Sequence, residues 1–198
     1  MKPVPCTGVD GVGSREPGIP GGGKMRMVSK SIVWFLIVAG GAALFAWQGW
    51  YNVAANVPHW DATVTAIELI RDRSIEAHSR GISVPALDDA RLVSDGARTY
   101  DEVCRYCHGA PGVPSAVFAQ GLYPAPANLA SDAFRRDFKE ARVFWVIKNG
   151  IKMTGMPAFG SFFEDVELWA AVAFVKRLPG IGAEEYRSMT AKTDKAGP

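Results

Sequence analysis

Two cysteines and a histidine stand together in the middle of the sequence, in the run Cys104-Arg-Tyr-Cys107-His108. Thiols three residues apart lie on one face of a helix, where both could form thioether bonds to the two vinyl groups at one haem edge. A histidine at the next position can reach the iron from the same side, and Cys-x-x-Cys-His is the attachment sequence of c-type haem. The spacing therefore predicts one covalently attached haem c, with His108 as an iron ligand.

Other uses of a cysteine pair fit the sequence less well. A zinc site normally needs a second pair of ligands, and the third cysteine, Cys6, is distant and has no predicted role. A thioredoxin-like redox pair would need a βαβ context, which the pattern does not show. A structural disulfide across two intervening residues would leave His108 unexplained.

The second axial position of such an iron has a candidate in Thr154-Gly-Met156-Pro157. This methionine stands in a Gly–Pro turn, whereas core methionines usually occupy periodic helical positions. Gly155 permits close backbone approach to a haem face, and Pro157 stiffens the loop. We therefore predict Met156 as the second iron ligand, with Met153 as the alternative. The other histidines, His59 and His78, are expected in solvent.

An apolar segment precedes this chemistry. Residues 31–60 contain no Asp, Glu, Lys or Arg, and 15 of the 20 residues in Ser31–Trp50 are apolar. Twenty helical residues span about 30 Å, the thickness of the bilayer hydrocarbon. The sequence therefore predicts a transmembrane anchor over 31–51. A cleaved signal peptide is the alternative, with Val53-Ala-Ala55 as its cleavage site, but the apolar run is longer than a usual signal core.

Basic residues set the expected orientation of the anchor. Lys24, Arg26 and Lys30 lie just before the apolar run, and the first charge after it is Asp61. The positive-inside rule then places the N-terminus in the cytoplasm and the haem motif in the periplasm of a bacterial inner membrane, crossed once.

Composition bounds the remaining possibilities. With 48% hydrophobic residues the chain can bury a core, which excludes disorder throughout, and 22 basic and 20 acidic residues argue against a polytopic membrane protein. A net charge of +2 gives no reason to expect nucleic acid as a partner. Residues 109–131, rich in Pro and Gly, predict an ordered loop without helix.

Helical periodicity dominates the region after the anchor, and no alternating strand pattern is present. Helices are predicted over 63–78, from Asp88 or Asp89 onward, over 138–148 and over 164–178, the last with a capping box at Ser161–Glu164. The fold class is therefore all-α, preceded by one transmembrane helix. The expected organisation is a cytoplasmic, unstructured leader at 1–30 (or a true start at Met25 or Met27), the anchor at 31–51, a periplasmic linker with a helix at 52–87, the haem domain at 88–180 and a frayed polar tail at 181–198.

Residues 88–179 resemble a class I c-type cytochrome, most closely the bacterial, membrane-anchored, mono-haem members, including domains associated with respiratory oxidases. The resemblance rests on Cys104–His108, Thr154–Pro157 and the run Leu168-Trp-Ala-Ala-Val-Ala-Phe-Val-Lys-Arg-Leu-Pro179. It implies that Gly96 and Tyr100 form the contact of the first helix with the last. It further implies aromatic positions at Trp169 and Phe174, a haem-wall loop at 124–129 and a short helix beside the haem edge at 144–147.

The implied function is one-electron transfer in a respiratory chain, without a catalytic residue, through haem ligated by His108 and Met156. Expected partners are a quinol-oxidising complex, a terminal oxidase or a periplasmic dehydrogenase. The alternatives are a permanent haem subunit of a dehydrogenase or oxidase, and a haem enzyme or sensor with a labile Met156. Six basic residues between 133 and 152 indicate either a partner surface or an ordinary solvated face.

Overall fold

A computed structural model describes residues 22–191, with side chains from residue 30 onward. The chain divides between Asn52 and Val53 into two compact units. The secondary structure of the described residues is helical, and an isolated bridge between Ala110 and Val113 is their one β contact. This confirms the predicted all-α class. The predictions for residues 1–21, including Cys6, and for 192–198 lie outside the described residues.

The first unit contains helix α1, Gly22–Trp47. Within the described residues it is the one helix long and apolar enough to cross a membrane, over Lys30–Trp47 with a mean hydropathy of 1.7. The expectation of an unstructured leader up to residue 30 is wrong for residues 22–30, which continue the helix and include the good helix formers Met, Lys and Arg. The helix ends four residues before the expected end of the anchor, and Gly49 follows it with φ of +67°.

The second unit is a bundle of short helices. Three short 3₁₀ turns and one π turn connect them. The α-helices of this unit are α2 (Asp61–Ser79), α3 (Ala90–Thr99), α4 (Arg105–His108), α5 (Asp132–Arg136), α6 (Glu140–Asn149), α7 (Asp165–Arg177) and α8 (Ala183–Thr190).

Helices α3 and α7 cross closely at the centre of the core. A Cβ atom added at Gly96 would lie 1.9 Å from the carbonyl oxygen of Ala170, so only glycine allows this approach. Beside the crossing, the rings of Tyr100 and Phe174 pack with their centroids 5.1 Å apart, and both residues are fully buried. The contact between Gly96, Tyr100 and the last helix of the cytochrome pattern is thus present. At the start of α3, Asp89 accepts hydrogen bonds from Arg91 N and Leu92 N, and these bonds lower the pKa of its carboxyl.

Helix α6 packs on the same face of α7. The ring of Trp169 stacks on Phe144, with centroids 4.0 Å apart and planes 6° from parallel. Phe144 and Ile147 are buried, and Gly150 ends the helix with φ of +66°. Phe144 and Ile147 of this helix therefore face the core.

Helix α2 lies against α6 through its second half. Ile75 is buried, Glu76 pairs with Arg142 and Lys139, and the exposed ring of His78 lies 5.6 Å from Trp145. The first half differs, because the apolar side chains there face solvent. The helical spacing of the apolar residues in α2 is therefore real, but it does not produce one buried stripe along the whole helix.

Three details differ from the sequence-based predictions. The capping box of α7 is formed by Glu164 and Glu167, three residues after the predicted one, because Glu164 occupies the N-cap. The frayed tail expected from residue 181 is a helix over Ala183–Thr190, since Tyr186 is buried beside Phe174. His59, expected in solvent, is half-buried, and its backbone N–H donates to the Tyr123 hydroxyl at 3.2 Å.

Candidate functional site

The Cys-x-x-Cys-His motif follows directly from α3 without a break in the helix. Residues Tyr100–Cys104 form a π turn, in which the N–H of Arg105 donates to the carbonyl of Tyr100. A π turn holds one residue more than an α turn, so it rotates the following side chains relative to the α3 face. Val93, Gly96, Ala97 and Tyr100 are accordingly buried, whereas Cys104 and Cys107 are half-buried. Sequence reasoning missed this turn, which has no clear residue signature.

Cys104 and Cys107 form no disulfide bond with each other. Cys104 packs against the hydrophobic core, and burial raises its pKa to about 12, with a further contribution from Cys107. A thiol with such a pKa is protonated near neutral pH, whereas redox-active pairs rely on a thiolate. The environment of Cys104 therefore disfavours the reading of the pair as a dithiol redox centre.

His108 is the last residue of α4, and two hydrogen bonds define its surroundings. Its Nδ1 lies 2.8 Å from the carbonyl oxygen of Ala127, and because a carbonyl only accepts, Nδ1 carries the proton. The lone pair is then on Nε2, the nitrogen left for a metal. The next residue, Gly109, accepts a hydrogen bond of 2.6 Å from the Tyr100 hydroxyl. Burial lowers the pKa of His108, which favours the neutral, ligating form of the imidazole.

Met156 lies in a loop closed by its own hydrogen bonds. Its N–H donates to the Thr154 hydroxyl at 3.1 Å, and its carbonyl accepts from the N–H of Ile151 at 3.2 Å. The Thr154 hydroxyl in turn donates to the Ile151 carbonyl at 2.8 Å. A Cβ at Gly150 would meet the Met156 carbonyl oxygen at 2.7 Å, so the loop requires glycine there. Sequence reasoning took Gly150 only as a helix stop and gave Thr154 no role.

The two methionines of this loop differ sharply in environment. Met156 is half-buried and packs against the hydrophobic core, whereas Met153 is 96% exposed and has a positive φ of 59°. Gly155 was expected to allow close approach to a haem face. In the structure the nearest side chain is Leu122, which a Cβ at Gly155 would meet at 2.9 Å.

The loop 109–131 connects the two halves of the site. It supplies Ala127, which fixes His108, and Leu122, which contacts Gly155 in the methionine loop. Its own fold is helped by a hydrogen bond from Ala116 N to the Tyr106 carbonyl at 2.8 Å. The segment 109–131 therefore contacts both His108 and the methionine loop.

Helix α8 also contacts the segment that leads into Cys104–His108. The Tyr186 hydroxyl donates to the Asp101 carboxylate at 2.7 Å, and that carboxylate pairs with Arg105 at 2.9 Å. Burial, and then the hydrogen bond to Asp101, raise the pKa of Tyr186, so its phenol remains the donor. This contact has little signal in the sequence, because one tyrosine in a polar segment does not show a periodic pattern.

The basic segment between 133 and 152 is largely neutralised. Four of its six basic residues form ion pairs with acidic side chains, which favours the interpretation as a solvated face. These residues are Arg135, Lys139, Arg142 and Lys148, and their partners are Asp132, Glu76, Asp137 and Asp165.

Comparison with protein families agrees with this geometry. Residues 91–175 match the family described as cytochrome c oxidase, cbb3-type, subunit III. This segment is a class I c-type cytochrome domain. No curated protein and no solved structure matches the chain. The matched segment of the cytochrome domain runs from the start of α3 to the end of the α7 core and contains the cysteines, the histidine and both loop methionines.

The family implies haem c and haem-based electron transfer, and it fits an electron carrier better than a catalytic enzyme. The residues of this cytochrome domain fit that cofactor. They offer two thiols three residues apart, an imidazole with Nε2 left for a metal, and a thioether sulfur beside the core. A soft sulfur and an imidazole are donors that suit haem iron.

Proposed function

We propose that this chain is a membrane-anchored electron carrier of a bacterial respiratory chain, with one haem c bound through Cys104 and Cys107. His108 and Met156 are the proposed axial ligands of its iron. The observation that carries the proposal is the His108 imidazole, whose Nδ1 is fixed by Ala127 directly after the two free thiols of a cytochrome domain. Such an outer hydrogen bond orients a ligating histidine and fixes its tautomer.

When bound, the haem iron supplies one-electron chemistry between its ferrous and ferric states. The protein supplies the ligands and keeps them in place. His108 is held by the Ala127 carbonyl, and the backbone of Met156 is held by Thr154 and Ile151. Because both ligands come from restrained segments, we expect them to stay in place in both oxidation states, which keeps the reorganisation small.

Ligation of the iron by both His108 and Met156 would leave no coordination position for a substrate or a gas, which suits a carrier better than an enzyme. Met156 packs against the core, so its sulfur is not free to move away into solvent as that of Met153 would be. A haem enzyme or sensor with a labile methionine fits this arrangement less well.

The proposed location follows from α1. Its segment Lys30–Trp47 would span the inner membrane, with the N-terminus in the cytoplasm and the cytochrome domain in the periplasm. The basic residues before the span and the absence of charge from 31 to 60 support this orientation. Periplasmic placement also suits the attachment of haem to exported thiols.

The test is the haem chemistry of single variants of the full chain. The protein, produced in a host that attaches haem c, should retain haem through denaturing electrophoresis, and Cys104→Ala or Cys107→Ala should impair this attachment. Met156→Ala should keep the haem but lose the far-red methionine-to-iron band of the ferric state and bind carbon monoxide when reduced. Met153→Ala is the matched control and should behave as the parent. A far-red band that survives in Met156→Ala would refute the assignment of this ligand.

A second candidate is a haem subunit held permanently on an oxidase or dehydrogenase. The specific observation in its favour is that the matched family is described as a subunit of a cbb3-type oxidase. Purification after mild solubilisation from the native membrane separates the two. A stoichiometric partner favours the subunit, whereas a chain that purifies alone and reduces an added oxidase favours the mobile carrier.

A further inference from the structure

The first half of α2 presents apolar side chains that no other residue of the described range 30–191 covers. Ile67 is 48% exposed, Leu69 57% and Ile70 69%, although Ile75 farther along the same helix is buried. The second half of α2 packs on α6, where Glu76 pairs with Arg142 and Lys139 and the ring of His78 lies near Trp145. Ile67 and Ile70 lie about 80° and 140° around the helix from Ile75, so the exposed apolar side chains form a face separate from the packed one.

Charge is confined to one side of this half-helix. Among residues 60–70 the charged side chains are Asp61 and Glu68, which lie seven residues apart and thus within roughly 20° of each other around the helix. Ile67 and Ile70 lie away from them, separated from their midpoint by more than about 100°. A helix with acidic groups on one side and a broad uncharged arc on the other is suited to lie flat in an interface between water and an apolar phase.

The chain that precedes α2 indicates which apolar phase this is. Only residues 48–60 separate the end of α1 at Trp47 from the start of α2 at Asp61. These thirteen residues reach at most about 45 Å, none of them is charged, and they include Trp50, Tyr51 and Trp60. Tryptophan and tyrosine concentrate at the level of lipid headgroups. A bilayer crossed by α1 is therefore within reach of the exposed face of α2 in every molecule.

We propose that the first half of α2 lies in the headgroup region of the membrane, with Ile67 and Ile70 towards the lipid and Asp61 and Glu68 towards water. The inference rests on the proposed anchoring by α1. Because α2 packs on α6, with Glu76 paired to Arg142 and Lys139, this contact holds the cytochrome domain at the membrane surface instead of leaving it free on a tether. The acidic side chains make a zwitterionic lipid surface, not an anionic one, the fitting partner.

The experiment places a fluorescent probe on each side of the half-helix in full-length, haem-loaded protein. Cys6 is replaced by Ser, and an environment-sensitive probe is attached at Ile70→Cys or, as the matched control, at the exposed Thr65→Cys on the acidic side. The proteins are reconstituted singly in phosphatidylcholine nanodiscs, with or without bromine on the acyl chains. For each probe, the fluorescence intensity with brominated acyl chains is divided by the intensity without bromine, so that any quenching by haem cancels.

We expect bromine to remove about half of the fluorescence at position 70, as for a probe ~5–10 Å into the interface, and little at position 65. The additional exchange Ile67→Ser should reduce the quenching at position 70. Quenching of the position-70 probe by iodide instead of bromine would overturn the proposal, because it would show the face in water. Protection from both quenchers would also overturn it, in favour of a protein cover.

Two checks separate a failure of this inference from a failure of the proposed function. Protein without an introduced cysteine should take up no probe, since Cys104 and Cys107 are consumed by haem; labelling there would contradict the haem attachment. Flotation of the protein with liposomes tests the anchor. A chain that floats, carries haem and shows no bromine quenching refutes only the interfacial position of α2.

Discussion

The helix that carries Cys104, Cys107 and His108 and the loop that carries Met156 are held in different ways. The helix is packed on two sides, by α7 at Gly96 and by α8 through Tyr186 and Asp101. The methionine loop depends mainly on Thr154, on hydrogen bonds with Ile151 and on a contact with Leu122. We infer that the attachment side of the site is part of the folding core, whereas the methionine side can change without loss of the fold.

The largest effect on stability is expected from Gly96→Leu, on the attachment side of the site. Its Cβ would overlap the Ala170 carbonyl, 1.9 Å away, so α3 and α7 would have to separate. We expect a loss of several kcal/mol, about 3 or more, and little folded, haem-loaded protein, measured by circular dichroism on denaturant titration.

The control is Gly121→Ala, where a Cβ meets nothing within 4 Å. It should change the free energy of unfolding by less than about 0.5 kcal/mol. Normal folding of Gly96→Leu would contradict the view that the α3–α7 crossing determines the attachment side.

A smaller effect on the same side is expected from Tyr186→Phe. The exchange removes the hydrogen bond to Asp101 and keeps the buried ring, so the free energy of unfolding should fall by about 1–2 kcal/mol. The far-red band should persist at room temperature, because the methionine loop is untouched. Tyr106→Phe, at a 42% exposed residue, is the control and should be close to neutral. Equal stability of both variants would show that α8 does not support the motif helix.

The smallest effect on stability, with a selective effect on ligation, is expected from Thr154→Val. Loss of the hydroxyl leaves the Met156 N–H without its acceptor, which costs about 1 kcal/mol or less. The far-red band should weaken while covalent haem and the unfolding midpoint remain nearly unchanged. Thr154→Ser should restore the band, since it keeps the hydroxyl. If Thr154→Val lowered the free energy of unfolding and weakened the far-red band together, this would contradict the inferred difference between the attachment side and the methionine side.

Sequence reasoning was most successful where one local pattern decides the structure. The start of α3 at Asp89 and the helices α6 and α7 follow from spacing and residue type. The π turn and α8 could not be predicted in this way. Helix α8 has few apolar residues, and such a short helix gains its stability from docking of Tyr186 on the core rather than from propensity.

The candidate site likewise combines residues that a local sequence pattern predicts with residues that it does not. The types of Cys104, Cys107, His108 and Met156 are sufficient to predict a ligand set, and that set stays a prediction until haem-bound protein is measured. The residues that hold the set, such as Thr154, Gly150 and Ala127, act through backbone atoms and one hydroxyl. Contacts of this kind depend on the folded path of two loops, which carry no periodic signal.

The most direct test of ligation by Met156 is the methyl region of the NMR spectrum of the reduced protein, with its six methionines labelled at the methyl carbon. A methionine bound to ferrous haem lies over the ring, and its methyl signal is shifted far upfield. Ligation by Met156 predicts one such signal, lost in Met156→Ala and retained in Met153→Ala. An upfield signal that disappears with Met153, or no such signal in haem-loaded protein, would contradict it.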